Sequence, residues 1–504
     1  DFLGEWLQYY GPVSFDFIRS TLGVPTDDLN SALEDSSESK SVIIGQLILD
    51  ETTETICDSE NLEMLLRLGR AAARPAFETL DIEWLPVFFA NFHKLMEQEG
   101  GIENLFSTLE QLICLPLPAE NWETDVFPAR LSNYDTNWLD RIIQEAEIQW
   151  MGSGARRVLF NFESDLELIR ADKNASSDMD DVVDERFSKE VSSKGELLPE
   201  SLGRYSFPTL LQQTKLKPAA LMNKLWEGVW EGALANDTYA ALRRAIENRF
   251  KIPEISSSAL GTTRRNRRSK GRSAHKSWAQ SLSNVGNWFL LPAVEVNTDL
   301  IEIEERKKDR VRILLDRYGI LFRELLQKEL PEFQWGSIFK SLRLMELAGE
   351  LLAGYFFKGI PGPQFISHEA FRLLQSRLAK DSVFWINATD PVSLCGLSLE
   401  GIKGTLPKRV AGAHLVYKGK DLVLISERNG KDITINAPAD DPRLQEYYCS
   451  LRHLLTRRFQ PLRQITVESV NKEPATASPY LDSLKISFDV LTEFKKITLY
   501  RKLS

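Results

Sequence analysis

The sequence predicts an α+β protein in which tandem winged-helix modules are joined to a small antiparallel β-barrel module. Three observations carry this. A helix–turn–helix pattern occurs twice, as WLQYYGPVSFDFIRSTL from Trp6 and LLDRYGILFRELLQKEL from Leu314. Each copy then runs twelve residues from a leucine to a glycine, Leu33 to Gly45 and Leu342 to Gly354, and the glycine lies in a strand-like stretch, VIIGQLI or LLAGYFF. After about Asp381 the apolar period changes to two, in the short runs HLVY, DLVLIS and DITIN.

Taken in order, each repeat reads helix, Tyr-Gly turn, helix, helix and β wing, which is the winged-helix order. This places one module at 1–78 and another at 281–378. Between them Leu85, Phe88, Phe92 and Leu95 share one helical face. Leu105, Leu109 and Leu112 share a second, and Met222, Leu225, Val229 and Ala233 a third. These are core faces of winged-helix-like modules at 79–165 and 203–260. The GSG at Gly152–Gly154 reads as a turn closing a wing. Residues 166–202 form an acidic insertion, with nine acidic against four basic residues from Asp172 to Glu200, expected to be disordered. A basic loop follows at 261–280, whose core GTTRRNRRSKGRSAHK holds seven Arg or Lys and no acid. Tight turns at Gly419 and Asn429-Gly430 separate the strands of a β-barrel module at 379–440. The end, 441–504, is an α+β module with a helix around Tyr447–Leu455 and strands in QITVESV and KISFDV.

Length and composition bound the function. A chain of 504 residues with 43% hydrophobic content is several packed domains, and no apolar run approaches the roughly 18 residues of a membrane span. A cytoplasmic setting is expected, and the opening at Asp1, in mid-pattern, reads as a boundary with something preceding it. Cys57, Cys114, Cys395 and Cys449 are far apart, which suits neither a disulfide framework nor a zinc site. Net charge is −10, so any nucleic-acid contact must be a local patch.

The stretches WETDVFPARLSNYDTNWLD from Trp122, EIQWMGSG from Glu147, LWEGVWEGALANDTYAALR from Leu225 and GNWFLLP from Gly286 resemble a known family in their order. So do GYFFKGIPGPQF from Gly354, NATDP from Asn387, RVAGAHLV with ISERNG, and the terminal ITVESVNKEPATASP. The family is the bacterial large helicase-related (Lhr) proteins, and the likeness is to the region C-terminal to their helicase core. The resemblance implies tandem winged helices with a β-barrel, an arrangement similar to AlkZ-like DNA glycosylases, and self-association. It also implies a helicase core as partner in cis or in trans, single-stranded or branched DNA as ligand, and a nucleoid-associated place in a bacterium. This chain departs from the family after Asp390-Pro391, where Val392–Gly396 replace the usual Asn-Pro-Tyr-Gly.

The chain has no GxxxxGK[ST] loop; Gly419-Lys420 and Gly430-Lys431 are each followed by Asp, so ATPase activity is not expected here. His93, His275, His368, His414 and His453 form no HExxH or His-Cys cluster, so they read as structural or surface residues, with no metal or cofactor expected. Glycosylase chemistry needs only one carboxylate or amide beside a flipped nucleotide, which leaves an enzyme as the alternative to a DNA-binding and assembly region. A purely structural oligomerisation scaffold is the third reading. Asp390, beside a proline at the mouth of the expected barrel, is the candidate catalytic carboxylate, with turn initiation as its plain alternative. Gln364 is a candidate to read or orient a base. Candidate phosphate contacts are Lys340 and Arg343 on the last recognition helix, Lys358 at its wing, and Arg264, Arg265, Arg267, Arg268, Lys270 and Arg272 in the basic loop.

Overall fold

The structure, a computed structural model, describes residues 2–38, 41–48, 52–73, 77–154, 156–169, 197–198, 200, 202–250, 285–292, 299–376, 378–379, 381–402 and 404–502. The expected basic loop and most of the acidic insertion lie outside these residues. Two compact units are present, Asp1–Glu78 with Arg343–Leu351, and Thr79–Leu342 with Leu352–Ser504.

In the first unit, α1 (Phe2–Leu7), β1 (Val13–Ser14), α2 (Phe15–Leu22), α3 (Thr26–Glu38), β2 (Val42–Gly45), β3 (Thr55–Asp58) and α4 (Ser59–Ala73) follow the winged-helix order. Ser14 ends β1 in extended backbone and caps α2 by accepting from the Phe17 amide, while Gly23 closes α2 in the left-handed conformation. The sheet runs β1-β3-β2, because the wing hairpin folds back and its second strand pairs with the short strand after the first helix.

That strand order occurs three more times, in modules that lie in the second unit apart from Arg343–Leu351 of the last. The second winged helix holds α5 (Leu85–Phe92), α6 (Ile102–Gln111), β4 (Leu117–Pro118), α7 (Phe127–Arg130), α8 (Thr136–Glu145), β5 (Ile148–Gly152) and β6 (Arg157–Phe162), with α9 (Leu166–Ile169) after it; its sheet is β4-β6-β5. Gly154, at φ +62, turns this wing. The third holds β7 (Tyr205–Ser206), α10 (Phe207–Thr214), α11 (Pro218–Trp230), β8 (Leu234–Asn236), α12 (Tyr239–Glu247) and β9 (Asn287–Leu290), with sheet β7-β9-β8. Here β9 pairs with β7 and β8, so residues from 281 that the sequence groups with the last module contribute a strand to the third. The second and third modules share one core, in which Trp122, Trp150, Phe160, Leu225, Tyr239 and Trp288 are buried together.

The fourth winged helix comprises α13 (Leu300–Tyr318), β10 (Ile320–Leu321), α14 (Arg323–Leu326), α15 (Trp335–Ala348), β11 (Leu351–Gly354) and β12 (Gln364–Ser367), followed by α16 (His368–Gln375); its sheet is β10-β12-β11. Beyond it lie β13 (Val383–Asn387), β14 (His414–Lys418), β15 (Asp421–Glu427), β16 (Asp432–Ile435), α17 (Leu444–Tyr447), α18 (Cys449–Thr456), β17 (Ile465–Val467), β18 (Ser469–Val470), β19 (Glu473–Pro474), α19 (Leu481–Ser487), β20 (Phe488–Glu493) and β21 (Lys496–Arg501). The fold is mixed α+β with winged helices, but the expected barrel is not closed among the described residues. Strands run β13-β14-β15-β16-β18-β19 as one sheet with β13 and β19 at its two edges, and β17-β21-β20 form another. KISFDV also differs from expectation, since Lys485–Ser487 finish α19 with Leu484 buried and the strand starts only at Phe488. No helix among the described residues is long and apolar enough to cross a membrane.

Candidate functional site

Motifs more than 250 residues apart in sequence meet inside the second unit. The stretch Trp122–Val126, within WETDVFPAR, is a π-helical turn whose residues are all buried. Such turns recur at functional sites because the extra residue redirects side chains, and this one carries Glu123, Thr124 and Asp125 into the interior.

Asp125 is the hub. Its Oδ2 accepts from Thr124 Oγ1 at 2.9 Å, and its Oδ1 lies 2.9 Å from His414 Nε2, 3.5 Å from His453 Nε2 and 3.7 Å from Arg457 Nη1. His453 Nε2 donates to the Thr124 carbonyl at 2.6 Å, and its ring packs 4.2 Å from that of Trp385. Strand register sets Asn387 and Ser426 on either side of His414. The Asn387 amide nitrogen lies 3.2 Å from His414 Nε2, and its oxygen accepts from the Thr389 amide and hydroxyl. His414 Nδ1 and Ser426 Oγ are buried with no hydrogen-bond partner among the described residues. Burial pushes the Asp125 carboxyl up, but the two imidazoles more than offset this and hold it well below the usual carboxylate range. Burial lowers His453, with Asp125 opposing.

A second network begins one turn further on. Arg130 donates to both carboxylate oxygens of Asp390, at 2.8 and 3.0 Å, and to the Val126 carbonyl at 3.1 Å. Its Nε and Nη2 also face His93 Nδ1 at 3.3 and 3.2 Å, while His93 Nε2 donates to the Arg317 carbonyl at 2.7 Å. That arrangement requires a neutral imidazole with its proton on Nε2. Burial first, then the Arg130 charge, push His93 down to about 3. Burial raises the Asp390 carboxyl, and Arg130 more than offsets it. Arg409 wraps the same loop by donating to the carbonyls of Ala388, Thr389, Asp390 and Ser393, and Lys328 donates to that of Pro391. A third clamp joins Glu123 to Arg243 at 2.8 Å and to Tyr134 at 2.7 Å, with Asp140 on the other side of Arg243.

The candidates read from the sequence are thus not brought together. Asp390 is 0% exposed, with both oxygens bound to Arg130 and Oδ1 also accepting from the Val392 amide. In this geometry it initiates a turn and joins two modules. Gln364 is also 0% exposed, its Oε1 accepting from the Phe356 and Phe357 amides and its Nε2 donating to the Phe357 carbonyl, so the amide is spent on the wing backbone. Lys340 is exposed on α15. Arg343 pairs with Glu63 in the first unit, and Lys358 pairs with Asp81 at 3.0 Å while both remain largely exposed. Arg264, Arg265, Arg267, Arg268, Lys270 and Arg272 lie outside the described residues. Trp226 and Trp230 stack on each other at 5.5 Å. Reading the residues one by one missed Asp125, Arg130, His93, His414 and His453. The signal was nonetheless present, because WETDVFPAR, NATDP and RVAGAHLV are motifs of the resemblance and supply Asp125, Arg130, Asn387, Asp390 and His414. No group of three or more His, Cys, Asp or Glu among the described residues could hold a metal.

Comparison with known proteins bears on the modules directly. The winged-helix domain described for large helicase-related protein matches residues 82–162 and 301–384, in two distinct versions, the third and the fourth. Both segments are similar to Lhr winged-helix domains. Over 465 residues, 88% of the chain, it is 26% identical to the Lhr helicase/probable uracil glycosylase of Mycolicibacterium smegmatis, spanning 30% of that protein. It is 25% identical over 410 residues to the Lhr helicase/uracil glycosylase of Escherichia coli, spanning 25% of that protein. The chain therefore spans a quarter to a third of the curated relatives it matches, and it resembles an Lhr C-terminal region. Among solved structures, the Streptomyces sahachiroi DNA glycosylase AlkZ aligns with 75% of the chain and 97% of its own length, at 12% identity and a TM-score of 0.41.

Proposed function

We propose that this chain is the DNA-gripping region of an Lhr-type DNA-repair protein. It engages single-stranded or branched DNA, self-associates, works beside a helicase core in cis or in trans, and has no ATPase activity of its own. The observation that carries the reading is the winged-helix strand order repeated four times, with two copies of Lhr type. Winged helices hold DNA with a helix in the groove and a wing on phosphate. In the fourth copy Lys340 stands on the helix and Lys358 at the wing, and we assign both, with Arg343 and the 264–272 basic stretch, to phosphate contact. Titration of labelled forked and single-stranded DNA tests this. Affinity should fall with salt by roughly 0.7 to 0.9 log units per log unit for each phosphate contact. Absence of binding at low salt would overturn the reading, and sedimentation at monomer mass at all concentrations would remove self-association from it.

A glycosylase is the second reading, favoured by the Asp125 centre together with the names of the curated relatives. A carboxylate, an amide and two imidazoles beside an indole are the groups that stabilise a departing base and orient water. Within it His453 and Arg457 keep about a tenth of their side chains exposed and mark the open side. We therefore rank Asp125 ahead of Asp390 as the reacting carboxylate. Uracil-containing DNA incubated with the chain and then treated with alkali should be cut, and Asp125→Asn should abolish cutting. Cutting that survives Asp125→Asn but not Asp390→Asn would reverse the ranking.

A further inference from the structure

The first winged helix differs from a DNA reader in both charge and surface. Residues 1–78 contain fifteen acidic and five basic residues, a net −10 that equals the charge of the entire chain, so the remainder is balanced. Phosphate is repelled by such a module at any salt low enough for charges to act.

Its surface is also apolar where a winged helix is usually polar. Helix α4 carries Leu62, Met64, Leu65, Leu66 and Leu68 within seven residues, a spacing that spreads them over more than half of its circumference and leaves Glu63 and Arg67 on the remaining face. An apolar face this wide is normally buried. Yet the module's core, built on Leu3, Leu7, Ile18, Leu29, Leu33, Val42 and Ile56, includes no described residue of α4, whose charged face instead pairs through Glu63 and Arg67 with Arg343 and Glu346 of the segment that completes this unit. Met64 and Leu68 are 62% and 60% exposed, with Leu65 and Leu66 also exposed. The helix is nevertheless firmly seated at its start. Asp58 Oδ1 accepts from the Glu60 and Asn61 amides, and the Asn61 side chain donates to the carbonyls of Gln8 and Tyr10. Beside it in the wing, β3 leads straight into α4, and its partner β2 exposes Ile43 and Ile44 opposite Cys57 and Ile56.

We propose that α4 and this wing form a docking surface for a basic, amphipathic protein segment. Charge complementarity selects the occupant. Apolar side chains of the segment cover Met64, Leu65, Leu68 and Ile43, while its Lys or Arg residues face an acidic module that includes Glu60, Asp16, Asp27 and Asp28. A second copy of the same module would bring −10 against −10, and DNA carries the wrong sign.

The test uses the full chain and a labelled leucine–lysine peptide with leucines at i, i+3, i+4 and i+7. A leucine–glutamate peptide of the same pattern is the control. Anisotropy should rise with the lysine peptide and not with the glutamate one, and salt should weaken the binding. The variant I43S/M64S/L68S, whose positions are all exposed, should lose about tenfold or more in affinity while binding forked DNA within about twofold of the parent. Hydrogen exchange of the unaltered chain is the second readout, with peptide-induced protection expected over 59–73. The proposal is overturned by equal binding of both peptides, by protection elsewhere and not over 59–73, or by undiminished binding in the variant. Loss of forked-DNA affinity in the variant would instead make this a DNA face, and loss of self-association would assign it to a second copy of the chain.

Discussion

The first and fourth winged helices share a sequence pattern and a strand order, but their Tyr-Gly turns sit in different surroundings. In the fourth, Tyr318 is buried, its hydroxyl donates to Glu329, and Gly319 at φ +70 leaves so little room that an added Cβ would lie 2.9 Å from Ala370 and 3.0 Å from Phe92. In the first, Tyr10 is half-buried against Trp6, and an added Cβ on Gly11 would meet only Leu65 at 3.7 Å. One local code therefore produces the same fold twice. What packs outside that fold differs, and so does the role available: most of the fourth copy is built into a large unit, while the first keeps a helix whose apolar face is exposed.

The largest effects are expected at the networks that hold the large unit together. Arg130→Ala strands Asp390 inside without its partner and should destabilise that unit by about 3–5 kcal/mol, read as a shifted urea midpoint. A midpoint within error of the parent would deny the network its structural weight. Acid should act next. His93 is neutral when folded and held at about 3, so the unfolded chain takes up this proton first once pH falls below about 6.5. Stability that is intact above that value should then fall by up to about 1.4 kcal/mol per pH unit from this imidazole alone, and His93→Gln should flatten the slope between there and pH 4. Asp125, also depressed, adds loss in the same direction below the usual carboxylate range.

Smaller effects sharpen the contrast between the two copies. Gly319→Ala meets both a left-handed backbone and a steric wall and should cost roughly 1–3 kcal/mol, whereas Gly11→Ala should stay within about 0.5 kcal/mol. Equal melting shifts for the two would show that the turns are not differently embedded. Smallest of all for stability, Lys340→Ser with Lys358→Ser should change it by less than about 0.5 kcal/mol, yet reduce DNA affinity at low salt. Unchanged affinity would remove this face from the DNA contact.

The winged helices were legible because their determinants are local: helical spacing of Leu85, Phe88 and Phe92, the Tyr-Gly turns, and glycines in the wings. The polar centre was not, because its logic is tertiary. Nothing near His414 in sequence announces Asp125, and Asp390 gives no sign that Arg130 would consume both its oxygens. Gln364 follows the same logic: its amide oxygen accepts from two backbone N–H groups of the wing, a pairing that its sequence neighbours do not announce. The barrel expectation rested on short alternating strands, which specify antiparallel pairing but not whether the first strand meets the last.

Hydrogen exchange on forked DNA distinguishes a grip by the embedded winged helices from a grip by the acidic one. Protection should appear over α15 and the wing at 351–367, with α4 at 59–73 unchanged. Protection confined to α4 and the first wing, with α15 exchanging as in the free chain, would contradict a grip by the embedded ones.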